Sequence, residues 1–132
     1  MANPPLILIV DDDPNFREIF SAKLSAIGYI VEVASGGKES IKKARDLKPD
    51  LILMDVDMPE MNGVEVLIKL KENAATENIP VLFLTALGDP RAEVQDINRR
   101  LSREVGAIGY LKKGEDINAT ASYIQHFLSL VP

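Results

Sequence analysis

The chain has 132 residues and a formal net charge of −5, with 46% apolar and 27% charged residues. That size and balance suit one soluble domain with a real core and exclude a disordered or fibrous chain. With no cysteine, no basic run and few aromatic residues, disulfide frameworks, thiolate metal sites and direct nucleic-acid binding drop out.

The opening Met1-Ala2-Asn3-Pro4-Pro5 is too short and too polar for a signal peptide. The first apolar run follows, Leu6-Ile7-Leu8-Ile9-Val10. A helix comes next, with Phe16, Ile19, Phe20, Leu24 and Ile27 on one face, and Gly28 ends it in the left-handed cap position. The second run, Tyr29 to Ala34, alternates, with Glu32 opposite Tyr29, Val31 and Val33. A second helix spans roughly Lys38 to Leu47 and stops before Pro49.

The third run is Leu51-Ile52-Leu53-Met54. The turn Pro59-Glu60-Met61-Asn62-Gly63 leads to a third helix carrying Val64, Leu67, Ile68 and Leu70. Pro80 opens the fourth run, Val81 to Leu84, and a fourth helix carries Val94, Ile97, Leu101 and Val105. The fifth run is Ala107 to Leu111, and the last helix holds Ile117, Ala121, Ile124, Phe127 or Leu128, and Val131. The apolar runs are far too short to span a membrane. A cytoplasmic protein without a membrane partner is expected.

Strand and helix alternate throughout, which predicts a doubly wound parallel sheet with helices on both faces, a three-layer α/β sandwich. Runs one, three and four are apolar at every position, as strands buried on both faces must be. Run two alternates and belongs at an edge. The chain must therefore reverse direction after it, which puts a topological switch point between strands one and three.

Ligands bind at the carboxyl ends of strands in such sheets. Strand one ends in Asp11-Asp12-Asp13, strand three in Asp55-Val56-Asp57, strand four in Thr85-Ala86 and strand five in Lys112-Lys113. Carboxylates forced into one crevice repel, so at least one pKa should rise in the absence of a cation. Magnesium answers this chemistry, because it takes oxygen ligands and keeps several waters. A lysine and a threonine hydroxyl nearby suit a phosphoryl group. Asp55 directly ends a central strand and is the best nucleophile for an aspartyl phosphate.

Other acidic and basic positions have plainer readings. Asp13-Pro14 is an N-cap followed by a first-turn proline. Asp57 suits a turn before Met58-Pro59, and Thr85 suits a turn or helix cap. Tyr110 suits a partly buried edge aromatic. His126 lacks an acidic partner nearby in sequence and reads as exposed, while Arg99, Arg100 and Arg103 read as a solvated helix face.

The chain resembles the receiver domain of bacterial response regulators along nearly its whole length. The matching segments are Ile9-Val10-Asp11-Asp12-Asp13-Pro14, Met54-Asp55-Val56-Asp57-Met58-Pro59 with Met61-Asn62-Gly63, Phe83-Leu84-Thr85-Ala86, and Gly106 to Lys113. The resemblance implies a (βα)5 flavodoxin-like fold of strand order 2-1-3-4-5. It implies that Asp55 accepts phosphate from a histidine kinase or a histidine phosphotransfer protein. Asp12 and Asp55 become side-chain magnesium ligands, Asp57 offers its backbone carbonyl, and Asp11 acts through water. Thr85 and Lys113 contact the phosphoryl group, and Thr85 and Tyr110 form the switch. The chain is then not an enzyme in the ordinary sense, although it catalyses its own phosphorylation and dephosphorylation.

Two features depart from the resemblance. Gly114 stands where the family usually has a proline after the lysine, which leaves Lys112 as an alternative to Lys113. The stretch from Thr85 to Lys113 is about six residues longer than the resemblance leads one to expect. Residues 1–132 are expected to form a single receiver domain without an output domain. Its output partner is undefined, and docking or homodimerisation is expected through the fourth helix, fifth strand and last helix. The competing readings are a haloacid-dehalogenase-type phosphatase, suggested by the Asp55-Val56-Asp57 motif, and a pseudo-receiver serving only as an interaction module.

Overall fold

A computed structural model describes residues 4–85, 106–114 and 116–130, without the side chains of Thr85, Tyr110 and Leu130. Five parallel strands are present: β1 (Leu6–Val10), β2 (Ile30–Ala34), β3 (Leu51–Asp55), β4 (Val81–Thr85) and β5 (Gly109–Lys112). Their order in the sheet is β2-β1-β3-β4-β5. The alternating strand β2 does lie at an edge, and β1 and β3 are neighbours, with Val10 in register with Met54.

The helices among the described residues are α1 (Pro14–Ile27), α2 (Gly37–Leu47), α3 (Gly63–Lys71) and a last helix, here called the C-terminal helix (Ile117–Leu130). The apolar strands feed two cores by simple alternation. Leu8, Val10, Ile52, Met54, Val81 and Phe83 pack with Val66, Leu67 and Leu70 of α3. Ile7, Ile9, Leu51, Leu53, Leu82 and Leu84 pack on the other face with Phe20, Leu24, Ala121 and Ile124. Full burial of both faces is why these strands need an apolar residue at every position.

Local chemistry sets the helix starts next to the strand ends. Asp13 accepts the Asn15 backbone N–H at 2.9 Å, and Pro14 occupies the first turn of α1. Asn62 caps α3 in the same way, accepting from the Glu65 N–H at 2.9 Å. Gly28 closes α1 at φ 117°, a conformation that a residue with a Cβ rarely adopts.

Several expectations need correction. Ile19 and Ile27 are solvent-exposed rather than part of the α1 core face, because the sheet covers a narrower stripe centred on Phe20 and Leu24. Ile68 is exposed, and Val66 takes its place in the core. The fifth strand begins at Gly109 rather than Ala107, so Ile108 lies outside it and exposed. Strand five therefore ends at Lys112, and Lys113 belongs to the following turn. The expected fourth helix, with Val94, Ile97, Leu101, Val105 and the three arginines, lies outside the described residues, as does Val131. Among the described residues no helix is long and apolar enough to cross a membrane.

Candidate phosphoryl and metal site

The crevice at the carboxyl ends of β1 and β3 gathers three acids. Asp11, Asp12 and Asp55 each present a carboxylate oxygen within 4.8 Å of the others, with Asp11 and Asp55 buried and Asp12 exposed. Asp55 is the last residue of β3, and Asp11 directly follows β1. Adjacent parallel strands in register bring these two ends together.

Backbone groups hold the acids in place. The Asp13 N–H donates to Asp11 Oδ1 at 2.9 Å, and the Asp57 N–H donates to Asp55 Oδ1 at 3.2 Å. Arg17, one turn into α1, donates from Nη1 to the Asp11 carbonyl at 2.7 Å and ties that helix to the end of β1. Gly63 lies so close beneath β3 that a Cβ there would overlap the Asp55 carbonyl oxygen. The start of α3 is thus pressed against the backbone of the central acid.

Lys113 supplies the countercharge. Its Nζ pairs with Asp11 Oδ2 and lies 3.4 Å from Asp55 Oδ2. Of the two candidate lysines, Lys113 is the one that meets these acids. It does so with no cis peptide among the described residues, and Gly114 follows at φ 85°. The side chains of Thr85 and Tyr110 lie outside the described residues. The backbone places Thr85 at the end of β4, in register with Lys112.

Burial, then the negative charge of Asp11, pushes Asp55 from 3.8 up to about 7; the contact with Asp12 adds to the rise, against the pull of Lys113. Burial alone would lower the Lys113 pKa, but its contacts with Asp11 and Asp55 raise it overall. The crevice thus carries more negative charge than one lysine neutralises. An all-oxygen set with an excess of negative charge fits a hard divalent cation such as magnesium.

Helical spacing assigns Phe16 to the core face of α1, and no motif in the sequence marks it as a site residue. Its ring lies 4.7 Å from Lys113 Nζ, measured to the centroid. Arg17 was not singled out either. The available signal was the spacing: both fall in the turn after the Asp13 cap, which winds back over the end of β1.

This is the architecture of a receiver domain, and the similarity to known proteins agrees. The family model of the response regulator receiver domain matches residues 7–125, and the chain belongs to that family of two-component signalling domains. A DNA-binding dual master transcriptional regulator, RpaA of Synechocystis, is 36% identical over 94% of this chain and 49% of its own length. The receiver domain of a signal transduction histidine kinase from Syntrophus aciditrophicus is 36% identical, with a TM-score of 0.80 over 96% of this chain and 92% of its own. The chemotaxis protein CheY4 of Vibrio cholerae is 30% identical, with a TM-score of 0.80 over 93% of this chain and 98% of its own. The chain spans about half or less of the length of the curated relatives it matches. These matches favour neither the phosphatase nor the pseudo-receiver alternative.

Proposed function

We propose that the domain is a phosphorylation switch in which Asp55 takes a phosphoryl group from a histidine kinase or a histidine phosphotransfer protein. The carrying observation is that one ammonium, Lys113, reaches both Asp11 and Asp55 within a cluster of three acids. An Asp55 carboxylate oxygen attacks phosphorus, the new O–P bond forms, and the P–N bond to the donor imidazole breaks with its electron pair leaving on nitrogen. Lys113 offsets charge on the transferring oxygens, and the Thr85 hydroxyl donates to one of them. The Asp57 N–H holds Asp55 Oδ1, which leaves Oδ2 on the lysine side of the crevice.

Asp12 and Asp55 would hold magnesium by their side chains, Asp57 by its backbone carbonyl, and Asp11 through water. When bound, the cation neutralises charge that builds on the phosphoryl group. Because the acids repel, cation and proton compete for Asp55.

Residues 1–132 are read as one receiver domain whose output is docking on a partner or on a second copy. The surface bearing β5 and the C-terminal helix supports this, since Ile108 and Tyr123 are exposed there. Tyr110 would report the state of the site by moving as Thr85 is drawn toward the phosphoryl group.

Mass spectrometry after incubation with acetyl phosphate and magnesium tests the reading. The wild type should gain one base-labile phosphoryl group, and Asp55→Asn should gain none. An adduct of equal yield in that variant overturns the assignment.

A further inference from the structure

We infer that Phe16 is a positioning residue for Lys113, its ring face holding the ammonium over the acids. The inference rests on the proposed role of Lys113 in phosphoryl transfer, and the test below separates the two. Lys113 lies beyond the end of β5, so no strand pairing orients it. Gly114 follows it at φ 85°, a residue without a Cβ to restrain the turn.

Packing does not orient the side chain either. A largely apolar hollow of about 190 Å³ opens beside it, lined by Phe16, Phe20, Leu84, Ile117 and Thr120 and bordered by Lys113 itself. The lysine stem has room to swing into that space. Three contacts hold its ammonium over the acids: Asp11, Asp55 and the Phe16 ring.

The ring differs in kind from the other two. A divalent cation entering the crevice competes with the ammonium for Asp11 and Asp55, but it leaves the contact between the ammonium and the π face in place. The ring is itself braced: it stacks on Phe20 with centroids 5.1 Å apart and planes 15° from parallel, and Phe20 is buried. It stands in the first turn of α1, which the Asp13 cap and the Arg17 bond anchor to the end of β1. An aromatic face at this distance attracts an ammonium, and a leucine of similar bulk does not.

The test uses Phe16→Leu and Phe16→Tyr, with two readouts. The first is the NMR shift of the Lys113 ε-methylene protons in metal-free protein, which the ring current moves upfield. The second is the rate of adduct formation with acetyl phosphate, with magnesium affinity measured alongside. Phe16→Leu should lose the upfield shift and slow phosphorylation about fivefold, the equivalent of about 1 kcal/mol, at unchanged magnesium affinity. Phe16→Tyr should restore both. A Lys113 shift and rate unchanged in Phe16→Leu overturn the inference, as does failure of the tyrosine to restore them. If wild type forms no adduct, the proposed function falls, while the methylene shift still decides whether Phe16 holds Lys113.

Discussion

Replacing Asp55 by asparagine removes a buried negative charge while keeping its shape, so stability should respond in a way that depends on pH. In the unfolded chain this carboxyl titrates near 3.8, and in the fold it is pushed up to about 7 by burial and then by Asp11. Between those values the folded protein holds a proton that the unfolded chain has already released. Its stability therefore falls as pH rises through the window, and the penalty is complete above the folded value. At ~1.4 kcal/mol per pH unit, a rise of roughly three units sets a ceiling of about 4 kcal/mol. Water entry and relaxation around Lys113 reduce it to about half, ~2 kcal/mol. Asp55→Asn escapes the penalty. In metal-free buffer at about pH 8 it should melt roughly 6–10 °C above wild type for a chain of this size. The gap should close toward about pH 3, below the unfolded value, where the wild-type carboxyl is protonated in both states. Saturating magnesium should narrow it at the higher pH by stabilising the wild type. Thermal melts followed by circular dichroism across that range, with chelator and then with magnesium, measure all three effects. A difference in Tm that is the same at both ends of the range would refute the reasoning, because burial and Asp11 would then not be raising the Asp55 carboxyl in the fold.

Two further substitutions probe the same crevice. Asp12→Ala should weaken magnesium binding by at least about tenfold in an NMR titration while changing stability by under about 0.5 kcal/mol, since this acid is exposed; an unaltered affinity removes Asp12 from the ligand set. Gly63→Ala should cost about 1–3 kcal/mol in chemical denaturation, because its Cβ meets the Asp55 carbonyl and lies 3.0 Å from Met54 Cγ. A denaturation midpoint equal to wild type would mean that α3 is not pressed against β3 as described.

What the linear chain carried was periodicity and punctuation. Unbroken apolar runs specified β1, β3 and β4 as central strands, and the alternation around Glu32 specified β2 as an edge, because burial on two faces or on one leaves different patterns. Asp13-Pro14 and Gly28 marked the ends of α1 through short-range hydrogen bonding and backbone geometry, which depend on few neighbours. The three acids of the site were legible because each sits at or just past the end of one of two strands that had to be adjacent.

Contacts between distant segments were decided only by the tertiary structure. Helical spacing put Ile19, Ile27 and Ile68 among core positions, yet how wide a stripe is covered depends on how each helix lies on the sheet, and all three face solvent. Choosing between Lys112 and Lys113 required the exact end of β5 and the turn at Gly114, since one residue of shift along the chain redirects the ammonium. The Phe16 ring and the Arg17 bond belong to the same class. Sequence placed them on a helix, but only the packing of α1 against the ends of β1 and β5 brings them to the charged groups they touch.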